Sequence, residues 1–424
     1  MISYVKEEAY TKTPYIGYNI ESLKYPSRDE NKTYVALTSF GVENNYVEVL
    51  TYNGESNEFE IGYLYNHIFS PVGGVHWMPA KGVGLEENIL GTGSDSIRLF
   101  KEGNMICDLR LNDTEQNNMR IENVYNTYFT RVTSFSFSDY TSEDLISTTI
   151  DGRCILWDLE RPDKGKELGN INIFNYNKNK LNEDVHSKFG NKIIANIPAN
   201  TNKSGFTIMD SCFGNSRNNI LLGMSNGLAV SLDLRSPFKQ INSILIDCMH
   251  GWNHAVSGNA DCDGNLNLSP VKICYIEDTN YFSRAILSTG EVEIFDIRKT
   301  CAPLYKINEN FNVQENTKTI NNSSDSIVSI ENSCSGELIV SQKNGKVNKF
   351  SSIGGNNNRI QMSNSFDLGK RLYGFSSINL SCSSRYRGFM GISSIFTDGQ
   401  PGIVVSSYIG GVALTGADTG TIVE

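Results

Sequence analysis

Residues 131–162, RVTSFSFSDYTSEDLISTTIDGRCILWDLERP, decide the fold of this chain. Phe135 and Phe137 alternate with serines, which is the period-two pattern of a half-buried strand. Residues 145–150 predict a second strand, and Asp151-Gly152 predicts a tight turn, because such a turn needs positive φ, which Gly adopts freely. Residues 154–157 predict a third strand that ends in the dipeptide Trp-Asp.

The hairpin turn followed by a closing strand recurs along the whole chain. The closing strands end at Leu50, Phe100, Trp157, Leu232, Phe295, Phe350 and Thr415. A Trp-Asp dipeptide that closes the third strand is typical of a blade in a WD-repeat propeller, whose minimal repeat is about 40–45 residues. The seven closing strands lie further apart than that minimum. The sequence therefore predicts an all-β fold, a seven-bladed WD-repeat β-propeller with insertions.

The two ends of the chain complement each other. Residues 3–10 predict a strand that stands before the first repeat, and the last repeat lacks an outermost strand. Pairing of these two segments would remove exposed sheet edges. We therefore predict that residues 1–424 form one propeller closed by an N-terminal strand.

Polar insertions explain the long intervals between the repeats. Four tracts rich in Asn, Ser and charged residues occupy positions near 163–204, 253–267, 309–324 and 354–364. These tracts have few apolar side chains to bury, so the sequence predicts partly disordered surface loops there.

Composition narrows the classes of partner. The formal net charge of −10 argues against a phosphate-binding surface, because nucleic-acid affinity depends on clustered Lys and Arg. The nine cysteines contain no Cys-x-x-Cys pair and are typical of a reducing compartment. The first residues lack an apolar signal core, and no run of eighteen apolar residues occurs. These features predict a soluble cytoplasmic or nuclear protein with no direct contact to nucleic acid or membrane.

Several blocks resemble one WD-repeat family. They are VALTSFGVENNYVEVLTYNGESNEFEIG at 35–62, HWMPAKGV at 76–83, LGTGSDSIRLF at 90–100, VTSFSFSDYTSEDLISTTIDGRCILWDLE at 132–160 and, less strongly, NGLAVSLDLR at 226–235 and EVEIFDIRKTCAPLYKIN at 291–308. The family comprises the plant Transparent Testa Glabra and anthocyanin-regulating proteins, with their animal counterpart that binds dual-specificity tyrosine-regulated kinases. The resemblance covers about the first three hundred residues. It implies an adaptor for a protein kinase or for transcription regulators.

The one catalytic motif in the sequence lies in the wrong predicted secondary structure. Residues 223–227, GMSNG, match the G-x-S-x-G elbow of α/β-hydrolases, but that elbow needs a helix after it. Here the motif leads into the predicted strand LAVSLDL, so we interpret it as a hairpin turn. No Gly-rich phosphate loop or paired carboxylates at motif spacing appear. We therefore expect no enzyme activity and no cofactor.

Two segments imitate metal sites. Residues 261–265, DCDGN, begin like a calcium loop, but Lys272 stands where the loop needs a bidentate Glu. The side chains of Cys248, His250, His254 and Cys262 could supply zinc ligands, but their spacing matches no standard finger. A polar loop is the favoured interpretation of both segments, and we predict no metal site.

Two Asp-x-Arg endings are the candidate protein-binding residues. They are Asp233 with Arg235 and Asp296 with Arg298, each at the end of a closing strand. In WD proteins that dock onto cullin-type ubiquitin ligase adaptors, an Arg at this place helps to form the contact, and its planar multi-donor fork suits that role. Alternatively, each Arg packs on its own blade or pairs with a neighbouring carboxylate.

The sequence thus favours a non-catalytic scaffold that binds other proteins. The family resemblance implies a kinase or transcription regulators as partners. A substrate receptor of a cullin-type ubiquitin ligase, which would bind a ligase adaptor, is the alternative. A propeller enzyme would need a deep pocket with converging carboxylates or histidines, for which the sequence gives no sign.

Overall fold

The computed structural model describes residues 9–12, 17–23, 32–39, 44–53, 56, 58–68, 72–79, 88–110, 132–141, 143–149, 153–161, 166–170, 208–224, 229–235, 271–276, 279–287, 290–298, 303–307, 327–332, 337–342, 346–351, 361–367, 389–397, 400–407 and 411–416. Every regular element in these ranges is a strand. The prediction of an all-β chain is confirmed for the described residues. No helix in them is long and apolar enough to span a membrane.

The first half of the chain contributes thirteen of the described strands. They are β1 Ala9–Lys12, β2 Gly17–Ser22, β3 Lys32–Ser39, β4 Asn44–Asn53, β5 Glu58–Ile68, β6 Gly74–Trp77, β7 Leu90–Gly93, β8 Ile97–Lys101, β9 Asn104–Leu109, β10 Val132–Phe137, β11 Asp144–Thr149, β12 Arg153–Asp158 and β13 Lys166–Asn170.

The second half contributes fourteen more. They are β14 Ile208–Phe213, β15 Asn219–Met224, β16 Ala229–Asp233, β17 Val271–Ile276, β18 Tyr281–Ile286, β19 Glu291–Asp296, β20 Tyr305–Ile307, β21 Ile327–Asn332, β22 Leu338–Gln342, β23 Lys346–Ser351, β24 Gln361–Asp367, β25 Phe389–Thr397, β26 Gln400–Ser407 and β27 Gly411–Gly416.

These strands form antiparallel sheets of three or four strands, seven of them among the described residues. Sheet 1 is β2–β5, sheet 2 β6–β9, sheet 3 β10–β13, sheet 4 β14–β16, sheet 5 β17–β20, sheet 6 β21–β24, and sheet 7 runs β25-β26-β27-β1. Each of the seven closing residues predicted from the sequence lies on the third strand of its own sheet. Small up-and-down sheets of this size are the building unit of propeller folds.

The N-terminal strand pairs with the last strand of the chain. Ala9 lies opposite Leu414 and Lys12 opposite Gly411, so β1 supplies the fourth strand of sheet 7. The strand lies a few residues later than the predicted 3–10, and residues 1–8 are outside the described part. Closure of the complete ring stays a prediction.

The chain divides into two compact units. One comprises Met1–Thr130 with Ser324–Glu424, and the other comprises Arg131–Ser323. Within the first unit, the first strands of sheets 6, 7, 1 and 2 lie beside one another in that order. Within the second unit, the first strands of sheets 3, 4 and 5 do the same. Neighbouring sheets of each unit therefore pack through their first strands.

The stretch that organises the sequence forms most of sheet 3. Phe135 and Phe137 are buried on β10, with their rings 6.0 Å apart and nearly perpendicular. Trp157 closes β12, and its indole N–H donates a 2.8 Å hydrogen bond to the hydroxyl of Ser147 on β11. Both side chains are buried, so this polar pair fixes the packing of the sheet from inside.

Two of the predicted insertions contribute strands. Residues 166–170, inside the tract at 163–204, form β13, and residues 361–364, inside the tract at 354–364, begin β24. Both strands are the outermost of their sheets, where backbone hydrogen bonds to one neighbour suffice and no apolar alternation is needed. The prediction of loops is wrong for these residues. The remaining residues of both tracts, and all of 253–267 and 309–324, lie outside the described residues.

Candidate protein-binding edge

The turn after β16 holds the first Asp-x-Arg pair in a closed hydrogen-bonded arrangement. The Oδ1 atom of Asp233 accepts 2.9 Å hydrogen bonds from the main-chain N–H and the Nε–H of Arg235. The Nη2 group of Arg235 donates to Asp233 Oδ2 at 2.7 Å. The carboxylate thus caps the turn and also accepts two hydrogen bonds from the guanidinium.

The turn after β19 repeats this arrangement in the next sheet. Asp296 accepts from the main-chain N–H and the Nε–H of Arg298 at 2.9 Å, and from its Nη2 group at 2.7 Å. The side chain of Arg298 is 64% exposed and that of Arg235 is 72% exposed. Each Arg therefore pairs with a neighbouring carboxylate, which is one of the interpretations given above for these residues. Both guanidinium groups nevertheless remain largely exposed to solvent.

The turn after β12 has the same cap but another side chain. Asp158 Oδ1 accepts a 3.1 Å hydrogen bond from the main-chain N–H of Glu160. All three turns share a second hydrogen bond. The residue after the Asp donates its main-chain N–H to the main-chain oxygen of the residue just before the second strand of the same sheet. In sheet 3 this bond runs from Leu159 to Glu143 and is 2.7 Å long. The equivalent bonds in the other two sheets are 2.7 and 2.8 Å long. Glu160, which is exposed, therefore occupies the position of the two arginines.

Side chains from the turns between first and second strands tie sheets 3 and 4 together at this end. The Tyr140 hydroxyl donates to the main-chain oxygen of Gly214 at 2.9 Å. In the opposite direction, Arg217 reaches from sheet 4 to Asp144, with Nε 2.5 Å from Oδ2 and Nη2 3.2 Å from Oδ1. The two contacts cross between the same pair of turns.

Sheets 4 and 5 are joined in the same way. The side-chain amide of Asn215 donates to the side-chain oxygen of Asn280 at 3.3 Å. We use the name capped edge for this end of the second unit, made of residues 138–141, 143–144, 158–161, 214–218, 233–235, 279–280 and 296–298. The capped edge is continuous across three sheets because of these cross-sheet contacts.

We call each Asp-x-Arg pair, Asp233 with Arg235 and Asp296 with Arg298, a clamp. Electrostatic interactions favour the charged form of both residues in each clamp. Hydrogen bonding from the Arg235 guanidinium, and then from its main-chain N–H, lowers the pKa of Asp233 to about 2. The Arg298 side chain has the same effect and lowers the pKa of Asp296. In return, the carboxylates raise the pKa of each arginine. The clamps are ion pairs at neutral pH, and the outward side of each guanidinium can meet a partner's acceptor.

A buried carboxylate joins the first strands of the same three sheets. Asp210 on β14 accepts from the Ser134 hydroxyl of sheet 3 at 3.0 Å and from the main-chain N–H of Ile273 of sheet 5 at 2.9 Å. The Nζ of Lys272 lies 3.8 Å from its Oδ1. Sequence reasoning missed Asp210, because no spacing motif links three separate repeats. The signal available was a lone Asp in an otherwise uncharged strand, IMDSCF.

The hydrolase-like, calcium-like and zinc-like sequence motifs lie largely outside the described residues. Gly223 lies on β15, which pairs antiparallel with β16, and residues 225–227 of the G-x-S-x-G motif lie outside the described part. The calcium-like loop at 261–265 also lies outside it, as do the candidate zinc ligands Cys248, His250, His254 and Cys262. In the part of the chain that the structure describes, no three His, Cys, Asp or Glu residues group in a way that could hold a metal ion.

Comparison with known proteins gives a partial likeness. No protein-family model matches the chain. The chain is 26% identical over 157 residues to the DDB1- and CUL4-associated factor 7 homolog of Dictyostelium discoideum. The aligned part covers 37% of this chain and 45% of that protein, so the chain spans less than half the length of this relative.

Proposed function

We propose that this protein is a non-catalytic WD-repeat adaptor that binds other proteins through the rims of its small antiparallel sheets. The Trp-Asp closing strand, the repeated sheets and the partial likeness to a protein named for its association with DDB1 and CUL4 support this proposal. Rigid β-sheets that present exposed turns are suited to holding binding residues in fixed positions.

The capped edge supports a more specific role, which is docking onto a ligase adaptor of the DDB1 kind. The observation that carries it is the pair of identical clamps, Asp233 with Arg235 and Asp296 with Arg298, in neighbouring sheets. Each guanidinium is held in one orientation by its own carboxylate, so little side-chain freedom would be lost on binding. Arg is among the residues most enriched in the energetically dominant positions of protein interfaces.

The test is a double substitution, Arg235→Ala with Arg298→Ala, measured for binding to purified DDB1. We expect the dissociation constant to rise by about tenfold or more, because interface arginines at dominant positions have effects of this size. The melting temperature should stay unchanged, since exposed ion pairs contribute little to stability. Arg110→Ala is the matched control, because Arg110 is 82% exposed and pairs with Asp108 two residues earlier, but it is not part of the capped edge.

The outcomes separate a binding role from a structural one. Unchanged DDB1 affinity at normal stability would remove the two arginines from the interface. A lowered melting temperature with parallel loss of every partner would assign them to the fold instead. Arg→Lys at both positions keeps the charge but loses the two-point fork, and we expect intermediate affinity from it.

A protein kinase or a transcription regulator is the second candidate partner. The family resemblance favours it, and three of its blocks, at 35–62, 76–83 and 90–100, contain no residue of the capped edge. We expect binding of such partners to survive the double arginine substitution. Affinity purification of the wild-type and doubly substituted chains, followed by mass spectrometry, tests this: kinase peptides lost together with DDB1 would contradict separate surfaces.

A further inference from the structure

We propose that the interface on the capped edge extends into sheet 3, with Tyr140 as its aromatic anchor and Glu160 as the residue that fixes the partner's orientation. The inference rests on the proposed docking of a DDB1-type adaptor. It specifies the chemistry of that partner: an apolar group over Tyr140, a basic group opposite Glu160, and acidic groups opposite Arg235 and Arg298.

Tyr140 has the properties of a preformed anchor. Its residue surface is 42% exposed, which is unusual for a large side chain that is also held in place. Its hydroxyl is bound to the Gly214 main-chain oxygen at 2.9 Å, and its main-chain N–H donates to the Ser138 hydroxyl at 3.2 Å. A ring fixed at both ends presents apolar area to a partner at low entropic cost.

Glu160 gives the edge a direction. The same Asp cap positions Glu160, Arg235 and Arg298, so the three turns place one negative and two positive side chains at equivalent points of successive sheets. A partner that matches this order meets attraction at all three points. The reversed orientation would place like charges together at both ends, which is an effective device for specificity.

The capped edge is also rigid enough for a partner to recognise this charge pattern. Arg217 bridges to Asp144 of sheet 3, and Asn215 bridges to Asn280 of sheet 5, which fixes the spacing of the three turns. The buried Asp210 ties the first strands of the same sheets behind them. Fixed charge positions are what orientation by charge requires.

The experiment measures the affinity of the full chain for purified DDB1 by calorimetry, with a melting curve for every variant. Tyr140→Ala removes the ring, whereas Tyr140→Phe keeps the ring and removes the hydroxyl that binds Gly214. We expect Tyr140→Ala to weaken binding about tenfold or more and Tyr140→Phe to remain within about threefold of wild type. Glu160→Arg should weaken binding about tenfold, more than Glu160→Gln does, and the difference should shrink at high salt.

Each outcome decides the matter. If Tyr140→Ala and Glu160→Arg bind DDB1 like wild type while the double arginine variant does not, the extension into sheet 3 is wrong and the docking proposal stands. Equal losses for Tyr140→Ala and Tyr140→Phe, with lowered melting temperatures, would assign the residue to sheet packing and overturn the anchor. Wild-type protein that does not bind DDB1 at all would overturn the docking proposal and this inference together.

Discussion

Replacing Asp210 by Ala tests whether a single carboxylate holds three sheets of the second unit together. The side chain is nearly buried, and it accepts hydrogen bonds from two different neighbouring sheets. The substitution removes both acceptors at once. Ser134 Oγ retains a neighbour, since the main-chain N–H of Ser211 donates to it at 3.1 Å. The main-chain N–H of Ile273 is the group that the change leaves without this acceptor.

The expected loss can be estimated from these two contacts. A buried donor left without its acceptor costs about 1–3 kcal/mol, and a hydrogen bond to a charged group contributes about 1.5–3 kcal/mol. Because the Ser134 hydroxyl can turn towards Ser211, its loss is the smaller of the two. The free energy of unfolding should therefore fall by about 2–5 kcal/mol for Asp210→Ala. Asp210→Asn keeps the shape and one acceptor, and it should cost about 1–2 kcal/mol.

The measurement is urea unfolding combined with amide hydrogen exchange. Exchange at Ile273 should accelerate in Asp210→Ala more than exchange at amides in the middle of β18, because the lost bond is local. Glu160→Ala, which removes an exposed carboxylate of sheet 3 and keeps the main-chain N–H that binds Asp158, is the matched control and should change the free energy of unfolding by less than about 0.5 kcal/mol. An Asp210→Ala protein as stable as this control would refute the joining role.

Three further predictions concern single side chains. Trp157→Phe loses the indole bond to Ser147 and should lower the free energy of unfolding by about 1–2 kcal/mol in denaturant titrations. In Gly223→Ala, the new Cβ would lie 3.0 Å from the main-chain oxygen of Val271, so thermal unfolding should show a loss of about 1–3 kcal/mol. The lowered pKa of Asp233 means that its ion pair persists as the pH falls from 4 and is lost only near pH 2. A carboxyl NMR titration with an ordinary midpoint would contradict this, and an alanine at the paired arginine should raise the midpoint.

Third strands were predictable from the sequence because the same two cues recur at them along the chain. All seven predicted closing residues lie on such strands, from Leu50 to Thr415. A closing strand such as β12 joins apolar side chains to a preceding turn signal, and both cues survive in a single sequence. The second and third strands predicted in the organising stretch, 145–150 and 154–157, match β11 and β12 within one residue at each end.

Outer strands were not predictable in the same way. The fourth strands β13, KELGN, and β24, QMSNSFD, carry few apolar residues and no alternation. An outermost strand is held by backbone hydrogen bonds to one neighbour, so its side chains are under weak constraint. Polar composition therefore indicated a loop at 163–204, although part of that tract completes a sheet. Residues 166–170 form a strand because their backbone pairs with β12, and such pairing cannot be inferred from amino-acid composition.

Contacts between repeats were the least predictable part of the candidate site. Tyr140 and Gly214 are 74 positions apart, and Ser134 and Asp210 are 76 apart. Neither pair belongs to a local motif. Their proximity follows from the packing of first strands side by side, which fixes the register between sheets. A single sequence contains the strands but not that register.

The three capped turns separate what the fold requires from what it leaves open. In sheets 3, 4 and 5 the Asp that ends the third strand serves the fold, because its carboxylate caps the turn. The cap uses only the main-chain N–H of the residue two positions later, and every residue except Pro supplies one. Glu160 meets this requirement as well as Arg235 does, so the cap alone gives no reason for an arginine there. The recurrence of Asp in these turns therefore serves the fold, whereas the cap does not explain the order Glu, Arg, Arg, which is the feature that we propose a partner recognises.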